Sequence, residues 1–208
     1  RFRNEFTERI EATYLFPLPD DSAVDDMEMH IGRRVVRANV ARRAEARRTY
    51  EAARTQGRRA ALLEQERPNI FTFSVANIDP GGEIEVRLHY FAMAKYDHGT
   101  YEVVFPMVVG PRYVPGAPLA GPQTGTGPHP DTDRVTDASR VSTTYAPPGT
   151  RVGHAVSVNF RVDAGAPVAT LESPAHDTVI RRSSPSRAEV SLRDKDEIPN
   201  RDFILRWT

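Results

Sequence analysis

The sequence predicts an all-β protein, a mainly antiparallel β-sandwich or barrel with one α-helix at about residues 40–56. Three observations lead there. Apolar and polar residues alternate with a period of two in stretch after stretch, Pro, Gly, Asp or Ser clusters separate those stretches, and only one segment has helical spacing. At 208 residues the chain is long enough to bury a sizeable core.

Ile10, Ala12, Tyr14 and Phe16 alternate with Glu11, Thr13 and Leu15 until Pro17 and Pro19 end the pattern, as in a half-buried strand. Met27, Met29 and Ile31 repeat the signal, and Gly32-Arg33-Arg34 reads as a hairpin tip before Val35-Val36. Asn39 offers a side-chain cap to a helix running from Val40 to Gln56, and Gly57 supplies a left-handed terminus. On that helix Ala46, Tyr50 and Ala53 form a narrow apolar stripe bordered by Arg43, Arg47 and Arg54, so it should cover a sheet without forming the core.

Pro68 bars a helix and pushes Arg67 toward extended backbone. Ile70, Phe71, Phe73, Val75 and Ile78 then supply strand formers up to the turn Asp79-Pro80-Gly81-Gly82. The most regular strand is Glu83–Tyr90, where Ile84, Val86, Leu88 and Tyr90 alternate with Glu85, Arg87 and His89; it is expected to pair with Phe71–Ile78 as part of a meander. Tyr101–Phe105 follows the turn Asp97-His98-Gly99-Thr100. Gly110–Pro130 has too little apolar content to order itself and is expected to be a mobile, exposed loop. Short strands are expected again at Val156–Val162, Val168–Leu171, Thr178–Ile180, Val190–Leu192 and Phe203–Trp207.

Lys+Arg and Asp+Glu are each 28, so no whole-chain field draws the protein to nucleic acid or an anionic membrane. The absence of cysteine removes disulfides, thiol nucleophiles and thiolate zinc sites but fits either redox compartment. No apolar run approaches the roughly 20 residues that cross a bilayer, so a membrane would be reached only through regions outside these residues. The opening Arg1-Phe2, without Met, is read as the start of a segment of a longer protein.

Five stretches resemble one family: Tyr14-Leu15-Phe16-Pro17-Leu18-Pro19, Met27-Glu28-Met29 through Ile31-Gly32, the run from Leu62 to Ile78, Val104-Phe105-Pro106 through Tyr113, and Arg201-Asp202-Phe203 through Trp207. The family is the vault protein inter-alpha-trypsin domain, and the likeness spans nearly the whole chain. Gly110-Pro111-Arg112-Tyr113-Val114-Pro115-Gly116, Asp137-Ala138-Ser139-Arg140-Val141 and Asp163-Ala164-Gly165 leading to Ser173-Pro174-Ala175-His176 resemble its bacterial members in particular. The resemblance implies a β-rich unit at 1–110, a Pro/Gly-rich connection at 111–150, and a second β portion at 151–208 that would deliver the chain to a von Willebrand factor A domain. It also implies a cell-surface or extracellular bacterial setting. The A domain's own Asp-x-Ser-x-Ser motif is missing, since Asp137-Ala138-Ser139-Arg140-Val141 ends in valine.

Asp131, Asp133 and Asp137 stand at positions 1, 3 and 7 of an EF-hand-like count and are weak candidates for a calcium site, but Val135, Thr136 and Ser142 occupy positions that a calcium loop fills otherwise. A solvated acidic loop is the better reading. Ten arginines lie between Arg33 and Arg59 with only Glu45 and Glu51 among them, so Arg43, Arg47 and Arg54 could hold an anionic glycan by bidentate pairing. Tyr50 is the only aromatic there, which argues against stacking on single-stranded nucleic acid. Intramolecular neutralisation or a partner domain is the preferred reading of this excess.

The six histidines, at 30, 89, 98, 129, 154 and 176, never adopt a ligand spacing, and no serine is singled out as a nucleophile. The chain is therefore read as a non-enzymatic interaction or structural module with no catalytic residues and no cofactor. Its expected partner is an adjacent A domain or another protein, with Trp207 on the docking edge. An anionic-glycan-binding module is the alternative, and an unrecognised hydrolase the third reading.

Overall fold

The computed structural model describes residues 1–110, 113–144, 150, 156–193 and 200–208. They divide into two β units, Arg1–Ala92 and Met93–Thr208, each with its own core. The all-β expectation holds in both.

The first unit contains β1 (Phe2–Arg3), β2 (Ile10–Pro17), β3 (Ala23–Ile31), β4 (Arg34–Arg37), α1 (Arg43–Thr55), β5 (Ala60–Arg67), β6 (Ile70–Ile78) and β7 (Glu83–Phe91). Its strands form two antiparallel sheets, ordered β1-β7-β3-β4 and β2-β6-β5. Met27, Met29 and Ile84 of the first sheet meet Phe73, Val75 and Ile78 of the second. Burying two apolar faces against each other in this way is the driving term for a sandwich.

The expected pairing of Phe71–Ile78 with Glu83–Tyr90 is wrong. β6 lies between β2 and β5, β7 lies between β1 and β3, and the turn Asp79-Pro80-Gly81-Gly82 carries the chain from one sheet to the other. Alternation tells which side of a strand is apolar, and two such sides are satisfied equally well facing each other as lying side by side. The true partner of β6 is β5, joined across Pro68-Asn69. Its sequence escaped period-two reading because both its faces are covered: Ala61 and Leu63 pack on the core, while Leu62, Glu64 and Glu66 take the opposite face, where Glu64 and Glu66 meet arginines of α1.

α1 begins three residues later than expected. Arg42 is its extended N-terminal boundary, no side chain caps it, and Asn39 lies outside the helix. The C-terminus is as read, with Gly57 at φ +68° and its N–H donating to the Arg54 carbonyl. The hairpin tip at Gly32-Arg33 is also as read, with Ile31 opposite Arg34.

The second unit contains β8 (Lys95–Asp97), β9 (Thr100–Phe105), α2 (Ala138–Val141), β10 (Asn159–Asp163), β11 (Leu171–Glu172), β12 (Thr178–Ser184), β13 (Arg187–Leu192) and β14 (Phe203–Trp207). The sheets are β11-β14-β9-β8 and β10-β13-β12. Val190, Leu192 and Ala188 from the latter meet Phe203, Leu205 and Leu171 from the former, with the Phe160 and Phe203 rings stacked 5.1 Å apart. α2 is a second, four-residue helix that the sequence did not reveal. The strand expected at Val168–Leu171 shrinks to Leu171–Glu172, because the Val168 and Ala169 N–H groups donate outside a ladder, to the Pro185 and Thr208 carbonyls.

The described residues of Gly110–Pro130 are largely exposed, and the part from Pro118 on is tied down by backbone bonds where the sequence offered nothing to order it. Pro118 bridges to Thr132, and the Leu119 N–H donates to the Asp131 carbonyl. The segment gains its order from hydrogen bonds, which a count of apolar residues does not register.

Candidate interaction site

The sheet ending in β14 presents a cross-strand row of aromatic rings. Trp207 pairs with Tyr101 on β9, and Tyr101 pairs with Tyr96 on β8. The Trp207 and Tyr101 rings stack at 5.4 Å and 12°, and Tyr96 tilts against Tyr101 at 4.7 Å. Strand alternation places Phe203, Leu205 and Trp207 on one face; the first two are buried, while the half-buried Trp207 packs on the edge of the core. The row then runs outward into solvent, with Tyr101 43% and Tyr96 63% exposed. Such rings combine a large apolar body with a polar tip, the chemistry of an interface anchor.

Trp207 was legible as a candidate, but Tyr96 and Tyr101 were missed. The signal was present: the two tyrosines flank the turn that starts at Asp97, so reading that turn as a hairpin puts them side by side.

The arginines named on α1 are committed to carboxylates of their own unit. Arg43 Nε donates to Glu64 at 2.9 Å and its Nη2 to Glu66, Arg47 Nε donates to Glu64 at 2.5 Å, and Arg54 bonds Glu51 at 2.7 Å and Glu11 at 3.1 Å. Burial works against the charge on Arg43, and the hydrogen bonds to Glu64 and Glu66 outweigh it, so the guanidinium is held protonated more firmly than usual. Asn77, in a left-handed conformation, donates to the Arg54 and Arg58 carbonyls and fixes the end of the helix. Burial, aided by Glu11 and Glu51, pushes the Tyr50 phenol up to about 12. The acids that neutralise the α1 arginines lie on β2 and β5 as well as on α1, while Arg37 on β4 pairs with Glu28 on β3 at 3.0 Å.

This arrangement makes Arg47 and its neighbour Arg48 unequal. Arg48 is exposed without a charged partner among the described residues, so replacing it with Ala should change stability by no more than about 0.5 kcal/mol. Arg47→Ala removes a charged hydrogen bond to a nearly buried Glu64 and should cost about 1.5–3 kcal/mol. Denaturant unfolding of the two variants checks the difference.

The acidic candidates separate. Asp131 is only 2% exposed; its Oδ1 accepts from the Ser139 N–H at 2.8 Å and the Ser139 hydroxyl at 2.7 Å, and its Oδ2 from the Thr124 N–H at 2.6 Å. Asp133 accepts from the Ala117 N–H, and Asp137 precedes α2. Among the described residues no group of three or more His, Asp or Glu is arranged to hold a metal. The loop packs on α2 so closely that a Cβ on Gly125 or Gly127 would strike the Ser139 carbonyl.

Burial alone would raise the Asp131 carboxyl, but the bonds from Ser139 and Thr124 more than offset it and hold the group near 2. A carboxylate held below its unfolded value contributes stability that is full above roughly pH 4 and is lost as pH falls through the folded value. The Thr124 and Ser139 amide resonances should therefore keep their positions down to about pH 3 and move only as pH approaches 2; movement centred near 4 would mean that these bonds do not form.

His89 pairs with Asp25 at 2.5 Å and His30 with Glu28 at 2.9 Å, while buried His176 packs on the Phe203 ring. His154 lies outside the described residues.

Residues 1–90 match the family model of the Vault protein inter-alpha-trypsin domain, nearly the whole first unit. Among curated proteins, the mouse von Willebrand factor A domain-containing protein 5A is 31% identical over 115 residues, 54% of this chain and 14% of that protein. Its human counterpart is 33% identical over 115 residues, again 54% of this chain, and 15% of that protein. The human Protein mono-ADP-ribosyltransferase PARP4 is 36% identical over 103 residues, 49% of this chain and 6% of that protein. The chain thus corresponds to a small part of these relatives' length. The match to protein 5A, over 115 residues, is longer than the 90 residues of the family model.

Proposed function

Residues 1–90 being a vault protein inter-alpha-trypsin domain, we propose that this chain is a non-enzymatic docking base, in which the second unit offers the Tyr96–Tyr101–Trp207 row to a von Willebrand factor A domain. The observation that carries this reading is the row itself, rooted in a buried core at Trp207 and open to solvent at the two tyrosines. A further finding supports it: the curated relatives include proteins named for an A domain. Placement at a bacterial cell surface belongs to the same proposal and rests on the sequence resemblance alone.

The glycan alternative is disfavoured by the pairing of Arg43, Arg47 and Arg54 with Glu64, Glu66, Glu51 and Glu11, since an external anion would have to displace carboxylates already in place. Calorimetric titration of the chain with a separately produced A domain of the same protein tests the docking reading. Binding that is weakened at least about tenfold by Trp207→Ala or Tyr101→Ala, the factor that 1.4 kcal/mol carries, is expected. Absence of binding at high micromolar concentration, or binding indifferent to both substitutions, would end it.

A further inference from the structure

β7 has a neighbour on only one side for most of its length. β3 pairs with it from Glu85 to Phe91, but on the other edge β1 covers just two positions, with Phe2 opposite Ile84 and Arg3 opposite Glu83, and no other described strand lies there. The packing reflects this. Ile84, beside β1, is 1% exposed, whereas Val86, Leu88 and Tyr90, pointing to the same side of β7, are only half-buried although Val86 and Leu88 belong to the core layer. On β6, which has a strand on both sides, the corresponding Phe71, Phe73 and Val75 are all buried.

The backbone points the same way. The Asn4 N–H donates to the Gly82 carbonyl across the β1 edge. Because successive residues of a strand direct their N–H and C=O groups to opposite edges, the groups of Ile84, Val86, Leu88 and Tyr90 all face that edge. Arg1 still follows the register beyond β1, with its guanidinium 3.1 Å from Glu83 and 2.8 Å from Glu85.

We propose that the edge of β7 from Glu85 to Phe91 is the seat of one more strand, an extended segment that continues β1 past Arg1 toward the N-terminus and runs antiparallel to β7. The occupant is polypeptide covalently joined ahead of Arg1. Its first, third and fifth residues before Arg1 stand opposite Val86, Leu88 and Tyr90 and are apolar, and the residues between them face solvent. Continuity with β1 selects this occupant over a strand from another molecule: the first two rungs are already filled, the chain already points along the edge, and an attached segment meets it at a high effective concentration. A seated strand satisfies the open backbone groups and closes an edge that would otherwise invite association.

The test compares the 208-residue chain with two versions extended ahead of Arg1 by six residues. One reads Thr-Val-Thr-Val-Thr-Val, which sets valines opposite Val86, Leu88 and Tyr90; the other reads Val-Thr-Val-Thr-Val-Thr, which turns them to solvent. Hydrogen exchange at the Val86, Leu88 and Tyr90 amides should be fast in the unextended chain and slower by about tenfold or more, 1.4 kcal/mol, in the first extension, with a smaller effect in the second. Amides already protected in the dilute unextended chain would overturn the proposal, as would equal slowing by both extensions or none by either. Protection that grows with protein concentration would assign the edge to a second copy and overturn it too.

Discussion

Phe203→Ala is expected to destabilise the second unit by about 3–5 kcal/mol, the range for truncating a fully buried phenylalanine. Phe203 has no exposed surface, stacks on Phe160 at 5.1 Å, touches the His176 ring, and lies opposite Phe105 in the sheet, so its loss opens a cavity at the centre of the core. Trp207 is the chain's one tryptophan and packs against that core, so its fluorescence reports unfolding of the unit directly. The Trp207 transition should move to markedly lower denaturant. A shift of less than about 1 kcal/mol would mean that the core re-forms without the ring.

Phe73→Ala should have an effect of similar size, about 3–5 kcal/mol, in the first unit. Phe73 is the central inward residue of β6, flanked by Tyr14 on β2 and Leu63 on β5, and the Phe2 ring stacks on it at 6.0 Å. The two cores share no residue, so this substitution should speed hydrogen exchange in β2, β3, β6 and β7 while leaving the Trp207 transition where it is. Equal movement of the Trp207 transition by both substitutions would show a single cooperative structure and refute the two-core account.

How the sequence announces these structures differs from one element to the next. β7 and β14 could be read directly, because each has one buried face and the period-two signal is undiluted. β5 could not, since Glu64 and Glu66 look toward arginines of α1 while Ala61 and Leu63 look into the core, and a strand covered on both faces loses its alternation. Strand partnership was the harder quantity. The short turn between β6 and β7 suggested a hairpin, and only the competing claim of β2 and β5 on β6 sends β7 to the opposite sheet. α2 and the ordered Gly/Pro segment were invisible for a third reason: their stability lies in the bonds from Thr124 and Ser139 to the Asp131 carboxylate and in glycine contacts at Gly125 and Gly127, none of which leaves a periodic trace. At the interaction site Trp207 stood out by residue type, but its continuation through Tyr101 to Tyr96 depends on the register of three strands.

The proposed docking role is tested most directly by titrating the chain with a von Willebrand factor A domain while following Trp207 emission. Covering the Tyr96–Tyr101–Trp207 row removes water from the indole, so the account predicts a saturable blue shift that is abolished when Tyr96 and Tyr101 are both replaced by serine. A complex that forms with Trp207 emission unchanged, and with full affinity in the doubly substituted chain, would contradict it.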